Sequence, residues 1–174
     1  MKKISIFLIL STFLSLTSCK IHFTPQHKKE IGDIGIGLNK IQFYNDKKIK
    51  IERQINLQET RTAKGKVKIR DGKHFETIVF PAKTAGIYID TNSNENCLNI
   101  TFEQGKYLVF CQFRSDHFYL SDGETAVANN GSSITYGGEK WIVLQGADAR
   151  LNFKRNHRRK QTSTKRRVSG VMVK

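Results

Sequence analysis

The sequence lacks the short motifs that mark the common enzyme classes. It contains no G-x-S-x-G or S-x-x-K nucleophile motif and no glycine-rich loop that would cradle a phosphate. Its five histidines, His22, His27, His74, His117 and His157, show no metal-ligand spacing such as H-E-x-x-H. We therefore predict a protein that is not an enzyme, with no catalytic residue, no cofactor and no metal site. The alternative is a small hydrolase whose carboxylates are distant in the sequence.

Sustained helical periodicity is also missing after the first 19 residues, and there are only two prolines. Apolar residues instead alternate with polar ones in KIKIERQINL, in KVKIRDGKHFETIVF around Asp71-Gly72, and in SITYGGEKWIVL around Gly137-Gly138. Asp-Gly and Gly-Gly between such segments are strong hairpin signals, because both central residues of the turn need positive φ. This pattern predicts an all-β fold, a single sandwich or partly closed barrel of eight to eleven short antiparallel strands.

The N-terminus has the pattern of a secretory signal. Lys2 and Lys3 precede an apolar stretch from Ile4 to Leu16, which is shorter than the roughly 20 residues needed to span a bilayer as a helix. A buried N-terminal helix is the alternative interpretation.

The end of this stretch resembles the lipobox of bacterial lipoprotein precursors. Leu16-Thr17-Ser18-Cys19 has the aliphatic residue, two small residues and cysteine of that motif, and the resemblance covers Met1 to Cys19 only. It implies removal of residues 1–18, acylation of Cys19 and a tethered protein that does not span the membrane. Lys20 follows Cys19 where enteric proteins retained at the inner membrane have aspartate, so in a diderm host the resemblance favours the outer membrane.

Two further cysteines flank a segment with the pattern of a hairpin. Cys97 and Cys111 border CLNITFEQGKYLVFC, in which apolar residues alternate on both sides of a turn. A three-residue E-Q-G loop with Gly105 in the left-handed conformation would be closed by a pair of Phe102 and Lys106.

This register sets Cys97 opposite Cys111 with Cα atoms about 4.5 Å apart, within disulfide range. Exported proteins keep such bridges. The same register places four apolar residues on one face: Leu98, Ile100, Leu108 and Phe110. The alternative is two unpaired buried thiols in a register shifted by one residue, with Tyr107, Val109 and Cys111 on the apolar face.

Length and pattern predict the domain organisation. After removal of residues 1–18, 156 residues remain, which is enough for one domain. We expect residues 19–40 to be the lipidated cysteine and a tether, residues 41–153 the β domain, and residues 154–174 a basic hairpin or tail.

Positive charge is concentrated at the C-terminus. Ten Lys or Arg and no acid occur from Arg150 to Lys174, whereas Cys19 to Ala149 holds 18 basic and 15 acidic residues. Such a segment attracts anionic surfaces. The predicted anion-binding residues are Arg155, Arg158, Arg159, Lys160, Lys165, Arg166 and Arg167.

Three interpretations compete for this segment. It binds an anionic envelope polymer or lipid headgroup, it binds nucleic acid through phosphate contacts, or it is a solvated flap without a ligand. Export disfavours nucleic acid. The sequence thus favours a lipid-anchored binding or structural module of the cell envelope, with the small envelope hydrolase as the alternative.

Overall fold

Two antiparallel sheets packed face to face form the fold, as the alternating pattern predicts. The computed structural model describes residues 20–91, 95–113, 116–127 and 129–154. Within these residues there are twelve strands, one more than the upper end of the predicted range. No helix in this described part is long and apolar enough to cross a membrane.

The strands are β1 Lys20–His22, β2 Gln42–Asn45, β3 Ile49–Ile55, β4 Lys66–Arg70, β5 Lys73–Phe80, β6 Ala85–Asp90, β7 Cys97–Glu103, β8 Lys106–Cys111, β9 Tyr119–Ser121, β10 Ser133–Tyr136, β11 Glu139–Gln145 and β12 Leu151–Lys154. One α-helix, α1, spans Pro25–Asp33, and two 3-10 turns span Leu38–Lys40 and Glu59–Arg61. The first sheet has the order β1-β12-β2-β6-β7-β8-β9 and the second β10-β11-β3-β5-β4.

Three chain segments cross from one sheet to the other at a shared corner. The pairs β2 and β3, β5 and β6, and β11 and β12 are each joined by a short connection, and they lie in the same order in both sheets. Gly146 is required at this corner, because its φ is +84° and an added Cβ would collide with the carbonyl oxygen of Lys48. The three connections therefore join the two sheets covalently at one end of the sandwich.

The core lies between the sheets, where alternate residues of each strand point inward. Ile49, Ile51, Trp141 and Val143 of the second sheet are buried against Phe43 and other inward residues of the first. The indole Nε1 of Trp141 donates to the carbonyl oxygen of Tyr136 at 3.0 Å, which satisfies its one polar atom. Leu57, predicted to continue the apolar alternation, is instead 70% exposed, since β3 ends at Ile55.

The predicted hairpin turns are confirmed. Asp71-Gly72 joins β4 to β5 with φ values of 49° and 71°, and Gly137-Gly138 joins β10 to β11 with φ values of 63° and 82°. These are the positive φ values that the residue types indicate.

The β7–β8 hairpin differs from its prediction in the loop but not in the register of its cysteines. Gly105 has φ +79° as predicted, but Glu103 rather than Phe102 pairs with Lys106. The ladder is irregular between Thr101 and Glu103, so Phe102 is an extra residue in β7. The loop is one residue shorter than predicted and the bulge adds one residue to β7, so the register beyond the bulge is the predicted one. Leu98, Ile100, Leu108 and Phe110 are accordingly all buried in the core.

The prediction of a tether from Lys20 to about Lys40 is wrong, because these residues are folded. They form β1, α1 and a 3-10 turn, and the side chain of Phe23 is fully buried. Thr24 caps α1 by accepting from the backbone N–H of His27, and Pro25 follows it at the first helical position. The weak periodicity of this segment concealed a helix that buries Ile31 alone. The β domain therefore begins at Lys20.

Candidate functional site

The chain begins and ends its described part on neighbouring strands. β1 pairs with β12 at the edge of the first sheet, with Lys20 opposite Lys154 and Ile21 opposite Phe153. Cα atoms of such cross-strand partners lie about 4.5 to 5.5 Å apart. Lys20 directly follows Cys19, and Lys154 directly precedes Arg155.

Aromatic packing holds this edge in place. The ring of Phe23 lies 5.0 Å from that of Phe43 and 5.3 Å from that of Phe153, both edge to face, and 5.4 Å from that of Phe118. The backbone N–H of Phe23 donates to the carbonyl oxygen of Leu151 at 2.7 Å. The start of the folded domain is thereby fixed one residue after Cys19.

The residues predicted to be lipidated or to bind anions lie outside the described residues. These are Cys19, Arg155, Arg158, Arg159, Lys160, Lys165, Arg166 and Arg167. The structure describes only the β1–β12 pair that connects both groups to the domain.

The two other predicted site residues form a disulfide. Cys97 and Cys111 are bridged across β7 and β8, with Cα atoms 4.0 Å apart, so the predicted register is confirmed. The bridge lies on the outer face of the first sheet beside Val109 and Phe113, and Sγ of Cys97 is 3.7 Å from the carbonyl oxygen of Gly123. It is a buried structural feature.

Two histidines meet although they are 95 residues apart in the sequence. The rings of His22 and His117 are 5.2 Å apart, and Nδ1 of His22 lies 2.6 Å from Oδ1 of Asn152. Burial lowers the pKa of His117, as do the nearby His22 and Arg150. Across the described ranges, no group of three His, Cys, Asp or Glu side chains could hold a metal ion.

Three carboxylates that are distant from one another in the sequence lie close together, and all three surround the guanidinium of Arg53. Arg53 donates to Glu59 at 3.0 Å and to Glu76 at 3.1 Å, and Glu139 lies 3.8 Å away. The other oxygen of Glu76 accepts from the backbone N–H groups of Lys64 and Gly65. A backbone hydrogen bond from Asn56 and the bond from Arg53 lower the pKa of Glu59. These carboxylates are engaged by structural partners.

Asp122 of the S-D-G-E-T segment stabilises its own turn. Its carboxylate accepts from the backbone N–H groups of Glu124 and Thr125 and from the Thr125 hydroxyl. Burial raises the pKa of Asp122, but these hydrogen bonds outweigh it and leave the pKa lowered. Asp122 lines a cleft of about 220 Å³ together with Lys106, Tyr107 and Thr135.

A basic face, which was not predicted from the sequence, covers the outside of the second sheet. Residues directly opposite in an antiparallel ladder point the same way, so the outward set follows from the buried inward one. We define the basic face as Lys50 on β3, Lys66, Lys68 and Arg70 on β4, Lys73 on β5, and Lys140 on β11. Alternation of lysine with isoleucine or valine in K-I-K-I and K-V-K-I-R was the signal that could have revealed it.

The one acid on this face is buried and neutralised. Glu52 is 8% exposed, forms an ion pair with Arg70 and accepts from the Thr77 hydroxyl at 3.2 Å. To reach Glu52, the guanidinium of Arg70 crosses the ring of Phe75, with Cζ 4.2 Å from the ring centroid. The arginine therefore lies flat along the sheet.

The lysines of the basic face have no such partners. Among the described residues, none of Lys50, Lys66, Lys68, Lys73 and Lys140 forms an ion pair with a carboxylate. The outward residues of the first sheet are by contrast mostly neutral, among them Gln42, Tyr44, Ile87, Thr101 and Tyr107. On the strands that the structure describes, lysines without a carboxylate partner are thus concentrated on the outer face of the second sheet.

Comparisons of this chain with protein-family models, with curated proteins and with solved structures found no match.

Proposed function

We propose that this protein is a lipid-anchored module of the cell envelope, held by acylated Cys19, whose C-terminal basic segment binds an anionic envelope polymer or lipid headgroups beside the anchor. The observation that carries the proposal is the pairing of Lys20 with Lys154. The residue after the anchor and the first residue of the predicted basic hairpin or tail, residues 154–174, are cross-strand neighbours.

The pairing supports this function because the anchor and the basic segment then share one starting point. Stable attachment usually combines two signals, such as an acyl chain and a polybasic segment. Each basic residue close to an anionic surface contributes about 1 kcal/mol. Since β1 starts directly after Cys19, an anchored domain has no spacer, and the basic segment begins close to the headgroups.

Mass spectrometry of the mature N-terminus tests the anchor. We expect an acylated Cys19 with residues 1–18 removed, and release of the protein into the soluble fraction when Cys19→Ala blocks acylation. Ser18→Ala is the control, since it keeps a small residue before the cysteine and should be processed normally. An intact Met1 to Ser18 segment, or a Cys19→Ala protein that fractionates unchanged, would contradict the proposal.

A second experiment tests the basic segment. The non-lipidated domain is compared with a variant in which the seven predicted anion-binding residues are changed to Gln, in pulldowns from envelope extract and in sedimentation with anionic vesicles. We expect the unmodified segment to bind at low salt and to dissociate as salt rises, because exposed charges are screened beyond about 8 Å at physiological ionic strength. Neutral vesicles are the control. Equal recovery by both proteins at low salt would leave the segment without a binding role.

A further inference from the structure

We propose that the basic face is a second binding surface, which binds a linear phosphodiester polymer whose repeating unit carries no nucleobase. This inference goes beyond the proposed function, because it depends on neither Cys19 nor the C-terminal segment. It rests on the described positions of Lys50, Lys66, Lys68, Lys73 and Lys140, which share the outward face of the second sheet with Arg70.

The geometry suits an extended anion. Alternate residues of one strand lie about 6.7 Å apart on a face, and neighbouring strands lie about 4.8 Å apart. Lys66, Lys68 and Arg70 form a row along β4, while Lys73, Lys50 and Lys140 continue the positive charge over β5, β3 and β11. A flexible polymer with one negative charge in every repeating unit can bind either along β4 or across the strands.

Edge protection accounts for only part of this charge. Lysines on an exposed edge strand prevent pairing with another sheet, and β4 is such an edge. Lys50, Lys73 and Lys140, however, lie on β3, β5 and β11, which each have a neighbour on both sides. Lys73 also lies directly opposite Arg70, and like charges in directly opposite positions are unfavourable unless an anion neutralises them.

Other macromolecules fit this face less well. Single-stranded nucleic acid needs exposed aromatic rings on which bases stack. Arg70 already covers the ring of Phe75, Trp141 is buried, and the half-exposed apolar residues Val79 and Ile142 are aliphatic. The same two side chains are 46% and 40% exposed and extend along a flat sheet, so they offer little that would insert into a bilayer. The face therefore best fits a polymer that is recognised almost entirely by its charge.

The experiment compares two four-lysine variants of the chain from residue 19 to residue 174, both carrying Cys19→Ala. The face variant changes four exposed lysines of the basic face to Gln: Lys66, Lys68, Lys73 and Lys140. The control changes four exposed lysines elsewhere in the same way: Lys29, Lys40, Lys48 and Lys83. Both lose the same charge, and circular dichroism with thermal melting checks that both fold.

Binding to poly(glycerol phosphate) is measured across a salt series. The face variant should bind at least about tenfold more weakly than the control, and the slope of log K against log salt should fall by about 3, at about 0.7 for each lost contact. An equal loss in both variants would overturn the proposal, as would no loss in the face variant. Tighter binding of oligo(dT) or of anionic vesicles through the same lysines would also overturn it, in favour of nucleic acid or a membrane.

A third protein separates this proposal from the proposed function. It carries Gln at the seven predicted C-terminal residues and keeps the basic face intact. If it still binds the polymer and the face variant does not, the further inference holds and the C-terminal segment has another role. If it loses all binding while the face variant keeps it, the further inference fails and the proposed function stands.

Discussion

At the residue scale, Arg53 and Glu76 show how the interior accommodates charge. Arg53 points inward from β3, with its Cζ 5.2 Å from the ring centroid of Trp141, and Glu76 is 3% exposed. A buried charge is tolerated when it is paired and its remaining hydrogen-bonding positions are filled. Here both carboxylate oxygens of Glu76 have donors, one from Arg53 and the other from the backbone of Lys64 and Gly65. The network ties the loop before β4 to the core.

Glu76→Gln should lower the free energy of unfolding by about 2 to 3 kcal/mol, because it leaves a partly buried guanidinium with less compensation and replaces one acceptor oxygen by an amide donor. Urea denaturation of both proteins measures the difference. Glu124→Gln, at an exposed turn position, is the control and should change stability by less than about 0.5 kcal/mol. Similar small effects at both positions would show that the Arg53 network contributes little.

At the element scale, the segment between Lys20 and Lys40 illustrates how one side chain can decide whether a chain is folded. α1 is short, and β1 has only three residues. Neither would be stable alone. Phe23 lies between them and inserts into the aromatic cluster of Phe43, Phe118 and Phe153. Its burial keeps both elements on the sandwich.

Phe23→Ala should therefore destabilise the protein by about 3 to 5 kcal/mol, the usual cost of removing a buried aromatic ring. Ile34→Ala, in the same segment but 43% exposed, should cost less than about 0.5 kcal/mol. Thermal or chemical unfolding distinguishes them. A tether would tolerate both substitutions equally, so equal and small effects would favour the tether over the folded segment.

The disulfide also acts at the scale of elements, since it joins β7 to β8 across a sequence separation of 14 residues. In the loop-entropy description, a bridge over such a loop stabilises the fold by about 3 kcal/mol. The double variant Cys97→Ala, Cys111→Ala should lose about that much, and reduced wild-type protein should behave alike. Cys19→Ala, which leaves the bridge intact, is the control. Alkylation of both thiols in freshly purified exported protein before reduction would contradict the bridge.

At the scale of the whole molecule, charge is nearly balanced in number but not in position. Residues 19–149 hold 18 basic and 15 acidic residues, yet the outside of the second sheet presents six cations and one buried acid. Many acids elsewhere are engaged locally, such as Asp46 with Arg150 and Asp148 with Lys47. If the proposals hold, the protein meets anions in two places, beside its anchor and across its second sheet.

Local features of the sequence determined the fold class, the turns at Asp71-Gly72 and Gly137-Gly138, and the register that sets Cys97 opposite Cys111. Period-two alternation reports which faces of a strand are apolar, and positive φ is a property of a few residue types, so neither depends on distant parts of the chain. Tertiary structure alone decided the pairing of β1 with β12, because nothing local in a three-residue strand selects a partner about 130 residues away. It likewise brought Arg53 to Glu76 and Glu139, and it assembled the basic face from strands between Lys50 and Lys140, since strand order is set by the global packing of apolar faces.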